Sequence, residues 1–167
     1  MASNVPTVRQ VAWLSLIPHL LVMGILIAIF YFLNIEECFL YGALVYVLIA
    51  YALRNLIAKS NKQGMKLVKQ RQFREAIPLF EQSVAFFTRN SWVDKYRFLT
   101  LLSSSKMSYK EMGLCNIAFC YSQTGDGQQA KRYYELVLAE FPDNGLAIAG
   151  INMMTAIEQQ FLANKQG

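Results

Sequence analysis

Apolar residues along this chain fall into two uninterrupted stretches followed by a longer periodic region. Residues 11–33 contain no Asp, Glu, Lys or Arg, and neither do residues 38–53. An α-helix rises about 1.5 Å per residue, so about 20 apolar residues cross a hydrocarbon core of about 30 Å. Both stretches meet that length, the second extending to residue 57 if Arg54 turns its charged end toward the headgroups. They read as transmembrane helices over residues 11–33 and 38–57. Further on, apolar positions recur at helical spacing, broken at Asn90-Ser91, Ser103-Ser104-Ser105, Gly125-Asp126-Gly127 and the run from Phe141 to Gly145. No strand-length alternation stands out, so the chain is expected to be all-α.

Composition sharpens the membrane reading. Apolar residues make up 54% of the chain and charged residues 16%, far from the balance of a soluble domain. A pair of buried core helices fits poorly, because the remaining residues are too few to wrap two uniformly apolar helices. A cleaved signal peptide fits poorly too. The first apolar run is too long, no small-x-small site closes it, and a second run follows at once.

Residues 34–37 leave room only for a tight turn, which predicts a helical hairpin, residues 1–57, with both ends on one side. Charge orients it. Arg9 precedes the first span and Glu36 and Glu37 occupy the turn, while Arg54, Lys59, Lys62, Lys66, Lys69, Arg71 and Arg74 follow the second span with no acidic residue among them. By the positive-inside rule both termini are expected to be cytoplasmic. Trp13, Tyr31 and Tyr41 lie where interfacial rings prefer to sit, and Pro6-Thr7 with Gln10 reads as a helix start with a capping box. The short chain without a recognisable targeting segment suggests a bacterial inner membrane.

The periodic region repeats itself. Gly64-x-x-Leu67, then Phe73-x-x-Ala76-x-x-x-Phe80, is echoed by Ala118-x-x-Tyr121, then Gln128-x-Ala130-x-x-x-Tyr134. A small residue lets antiparallel helices approach, and a large one fills the space beside it. On these residues the chain resembles the tetratricopeptide repeat (TPR) family. In the second copy Leu114, Ile117, Ala118, Tyr121, Gly125, Ala130, Tyr134 and the closing Pro142 sit at family spacing; the first copy matches through Gly64, Leu67, Ala76 and Phe80. The first copy departs from the pattern at Ser60 and Gln63, and at Thr88 in place of the closing proline. Pro78 is read as lying in the first turn of its helix, where a missing N–H costs little.

The resemblance implies a short α-solenoid of two TPR-like helix hairpins, residues 57–90 and 111–144, within a cytosolic domain of residues 58–167. An aromatic-rich insertion, residues 91–110, separates the repeats; its first part is expected to be helical to about Leu102 and then to give way to a Ser-rich loop. A capping helix, residues 145–163, carries Ala147, Ile151, Met154, Ile157 and Phe161 on one stripe. Two repeats are few for a continuous core, so the cap, the insertion, the membrane or self-association as a homo-oligomer is expected to complete it.

In this family, peptide ligands lie in a groove lined by the first helix of each repeat. The resemblance therefore implies a partner-binding groove of Asn61, Met65, Val68 and Lys69 with Met112, Cys115, Phe119, Ser122 and Gln123. The alternative for each is packing inside the domain. Family members that clamp a C-terminal carboxylate use a Lys followed four residues later by Asn, whereas Asn61 and Met65 stand here. Lys59, Lys62, Lys66 and Lys69 share one helical face, and with Arg54 form a candidate patch for anionic lipid headgroups, or else a solvated face with ordinary topology determinants.

Candidate chemistry is sparse. The one histidine, His19, lies in the first span beside Pro18. It reads either as a proton-handling residue or as a neutral ring bonded to the neighbouring helix or to a carbonyl freed by Pro18. Cys38, Cys115 and Cys120 show no metal-ligand spacing and read as reduced core or groove residues. No cofactor loop, metal cluster or nucleophile with its base can be assembled, so a non-enzyme without cofactor is expected. The net charge of +5 comes largely from the lysine run and lacks a nucleic-acid reading element. The leading expectation is a membrane-anchored adaptor that binds a protein or peptide; the alternative is a small transporter or envelope subunit acting through its hairpin.

Overall fold

The computed structural model describes residues 11–166. Among them every named element is a helix: a 3-10 turn Trp13–Ser15, then α1 Leu16–Phe32, α2 Cys38–Ile57, α3 Lys59–Lys69, α4 Phe73–Arg89, α5 Ser91–Lys95, α6 Arg97–Thr100, α7 Tyr109–Gln123, α8 Gly127–Glu140 and α9 Gly145–Gln166. Arg9 and the Pro6-Thr7-Gln10 capping box lie outside the described residues. The chain forms two compact units, one of residues up to Ile57 together with Ser91–Ser108, the other of Ala58–Asn90 together with residues from Tyr109 onward. This differs from the expected single domain of residues 58–167, because the insertion belongs to the hairpin's unit.

In the first unit α1 and α2 pack side by side. Trp13–Phe32 and Cys38–Ile57 are each long and apolar enough to cross a membrane, and only 6% and 11% of their most apolar windows are buried. A core helix of a soluble fold would be mostly covered. Instead Leu14, Phe32, Phe39 and Leu56 point outward, 74–80% exposed. The turn closes through Asn34 at φ +55°, a left-handed conformation that Asn tolerates. Gly42 makes the close approach between the helices: a Cβ there would meet Ile27 Cγ1 at 2.6 Å and the Ile27 backbone at 3.0 Å. Gly24, another small residue of the hairpin, has nothing among the described residues within 4 Å of its Cβ position.

The second unit is a run of helices in which α3 packs on α4, α4 on α7, α7 on α8 and α8 on α9. The sequence repeat has a physical counterpart. At the α3–α4 turn Arg71 takes φ +61° and the Gln72 N–H returns to the Leu67 carbonyl at 3.0 Å. At the α7–α8 turn Gly125 takes φ +83° and the Asp126 N–H returns to Tyr121 at 3.0 Å. Ala76, Phe80, Ala118 and Ala130 are completely buried. The Phe80 ring lies where a Gly64 Cβ would be, at 2.8 Å, so only glycine admits the ring there. Pro78 lies inside α4, beyond its first turn; the carbonyl left without its helical partner belongs to exposed Arg74, where water can serve.

Asn144 ties the end of this unit together. Its Oδ1 accepts from the Ala147 N–H at 2.8 Å, capping α9, and from Cys115 Sγ at 3.7 Å, while its Nδ2 donates to Glu111 Oε1 at 2.7 Å. Lys110 and Glu140 form an ion pair at 2.6 Å between α7 and the end of α8.

Candidate functional site

The face implied for partner binding runs along α3 and α7. On α3, the helical period puts Asn61, Gly64 and Val68 inward and Lys59, Lys62, Lys66 and Lys69 outward. Asn61 and Val68 are therefore buried, 8% and 2% exposed, and Cys115 on α7 is 5% exposed. These three are core residues and are removed from the groove, because each lies on the stripe that its helix turns toward its neighbours. Met65, Met112, Phe119 and Ser122 are half-buried, and Lys69 and Gln123 are exposed.

Phe119 is held in place rather than loose. Its ring packs edge-on against Phe73, the first residue of α4, with centroids 5.9 Å apart and planes at 81°. Ser122 Oγ donates to the Phe119 carbonyl at 2.7 Å, so its hydroxyl serves the helix. Phe73 was not among the expected groove residues, although its place at the helix start in the repeat pattern was visible. The α3 and α7 helices touch each other only over a short stretch.

Buried groups on α7 are chemically quiet. Burial, reinforced by Glu111 and opposed by the Asn144 hydrogen bond, pushes the Cys115 thiol up to about 12. Burial alone pushes Cys120 up to about 12. At neutral pH both are held as thiols, so neither is poised as a nucleophile. Among the described residues, no group of three or more His, Cys, Asp or Glu converges as a metal site would need. No family model matches this chain. No curated protein and no solved structure matches it either.

Elsewhere on the unit, Tyr121 and Tyr133 stack with centroids 5.6 Å apart, and Tyr133 Oη donates to Glu81 Oε1 at 3.3 Å. Burial, followed by the charge of Glu81, raises both hydroxyls above their ordinary range. A shallow depression on α8 is lined by Gln128, Gln129, Lys131, Arg132 and Glu135, away from the expected groove.

Arg54 departs from the basic patch. Its guanidinium donates to the carbonyls of Leu101, at 3.4 Å, and Leu102, inside the hairpin's own unit. The lysines of α3 keep their common exposed face. His19 is half-buried, its ring edge-on to Tyr46 at 6.4 Å and within reach of the Leu102 backbone, while its Nε2 has no hydrogen-bond partner among the described residues.

Proposed function

We propose that this protein is a membrane-anchored adaptor of the TPR type, with its hairpin spanning the bilayer, both ends cytoplasmic, and its repeat unit holding a protein or peptide partner. The observation that carries the reading is the pairing, in one chain, of an outward-facing apolar hairpin with a unit whose two helix–turn–helix segments share one register of turns and buried residues. The contact face is the exposed and half-buried remainder of the groove: Met65, Lys69, Met112, Phe119, Ser122 and Gln123. Anchoring raises the local concentration of whatever shares the membrane, so a modest face suffices. Lys59, Lys66 and Lys69, exposed on α3, are proposed to attract anionic headgroups, each basic residue near such a surface contributing about 1 kcal/mol.

The test compares wild type with Phe119→Ala and Met65→Ala, purified in mild detergent from membranes, by mass spectrometry of what co-purifies. A partner lost from both variants while helicity is retained supports the adaptor. A chain recovered in the soluble fraction without detergent would end the anchoring claim.

A second reading has its own observation. The half-buried His19 and the close Gly42–Ile27 approach lie within the hairpin, as a subunit acting through its membrane helices would require. Partners lost only from His19→Ala or Gly42→Leu would favour that small-subunit role.

A further inference from the structure

The segment Ser91–Ser108 lies in the hairpin's unit, and many of its backbone groups are bonded within that unit. Short helices α5 and α6 run almost continuously, because the Tyr96 N–H bonds the Trp92 carbonyl at 3.0 Å and the Thr100 N–H bonds that of Tyr96 at 2.9 Å. After α6 the chain is irregular, which normally leaves carbonyls for water. Here side chains of the same unit take them. Arg54 donates to Leu101 and Leu102. Arg97 donates to Asp94 at 3.1 Å, Ser105 at 3.0 Å and Lys106 at 2.6 Å. Thr100 Oγ1 donates to Val93 at 2.7 Å, and Ser105 Oγ to Met107 at 2.9 Å. The Ser104 carbonyl accepts from the Ala12 N–H at 2.9 Å, beside an antiparallel bridge between Val11 and Ser105.

That tether fixes the segment to the end of the hairpin where α1 begins and α2 finishes, and α6 rests on α1. Leu101 and Leu102 are buried there, 0% and 1% exposed. The outer face is the reverse of what water selects. Trp92, Tyr96 and Leu99, at i, i+4 and i+7, project together and are 56–61% exposed. Trp13 and Leu14, both 78% exposed, belong to the same end of the same unit. Exposed Lys95 and Lys106 accompany the apolar face, and Lys95 Nζ stands 5.7 Å from the Tyr96 ring.

We infer that Ser91–Ser108 is a third membrane-contacting element, an interfacial foot whose Trp92, Tyr96 and Leu99 enter the headgroup region of the leaflet at the chain-end side of the hairpin. The inference rests on the hairpin spanning a bilayer. Its occupant is lipid because the exposed face belongs to the unit of the apolar hairpin and is packed and tethered to the start of α1, Trp and Tyr are the side chains that settle at that depth, and irregular backbone there requires its polar groups to be met. Lys95 and Lys106 reach back to the phosphates.

The chain's tryptophans, Trp13 and Trp92, allow a clean test in the full-length protein reconstituted into phosphatidylcholine/phosphatidylglycerol vesicles. Trp13→Phe leaves Trp92 as the only reporter, and Trp92→Phe leaves Trp13. With phosphatidylcholine brominated high on its acyl chains, Trp92 is expected to lose most of its emission, more than with lipid brominated near the chain ends, and to resist aqueous iodide. If Trp13 is quenched by brominated lipid while Trp92 answers only to iodide, the foot is refuted and the hairpin reading stands. If Trp92 answers to neither quencher, protein covers it and the foot is again refuted. Quenching of neither tryptophan by lipid would refute the membrane reading itself.

Discussion

Arg54 in the last turn of α2 donates hydrogen bonds to the carbonyls of Leu101 and Leu102, 47 and 48 positions further along the chain. Leu102 is held at φ +44°, a conformation that costs a residue with a Cβ about 1–2 kcal/mol. Its buried side chain and its bonded carbonyl both favour that turn. The pair joins the hairpin to the inserted segment.

Replacing Arg54 by Met keeps the stem and removes the donors. Leaving buried carbonyls unmet costs about 1–3 kcal/mol, so Arg54→Met should melt earlier in detergent and be cleaved sooner within Ser91–Ser108. Arg54→Lys should restore only part, because an ammonium lacks the planar fork that reaches two carbonyls together. Wild-type melting and cleavage in Arg54→Met would show that the contact contributes nothing.

Within the hairpin, Gly42→Leu and Gly24→Leu should differ. The first drives a side chain into Ile27 and should lower stability by about 1–3 kcal/mol. The second enters open space and should leave the melting temperature in micelles near wild type. Equal effects would contradict the helix contact described.

Arg71 occupies a left-handed turn position that its counterpart fills with Gly125. Relief of the Cβ clash predicts that Arg71→Gly stabilises the protein by about 1 kcal/mol, read from the denaturant midpoint. Gly125→Ala should lose a similar amount. A destabilised Arg71→Gly would mean that the arginine side chain contributes more than its backbone strain removes.

Alkaline pH should weaken the repeat unit. Burial raises Cys115 and Cys120 from 9.0 to about 12, and Tyr134 from 10.0 to about 12. Above the unfolded-state values the unfolded chain releases these protons while the folded chain keeps them. Stability is therefore full below about pH 9 and falls as pH rises toward about 12. Unfolding midpoints at pH 8 and pH 10.5 measure the slope, and Cys115→Ser with Cys120→Ala should flatten it. A slope unchanged in that double variant would assign the effect to other groups.

Reading along the chain was sufficient for the helices and for the apolar hairpin, because period and charge content are local properties. It also located the turn near Gly125 and the small-to-large pairing that Gly64 and Phe80 realise. The make-up of the proposed groove was less legible. Asn61, Val68 and Cys115 share helices with exposed residues, and which arc of a helix is covered depends on neighbours that spacing does not name. Phe73 entered the site only through its edge contact with Phe119.

The sequence by itself determined an all-helical chain with two spans of membrane length, a repeated helix–turn–helix pattern and a lysine face on α3. Tertiary structure alone decided where the aromatic insertion belongs. Its apolar residues are compatible with either the repeats or the hairpin, and the choice is made by long-range hydrogen bonds from Arg54 and Ala12 to carbonyls that irregular backbone leaves unpaired. Such pairings join residues far apart in the chain, so no local pattern of side chains encodes them.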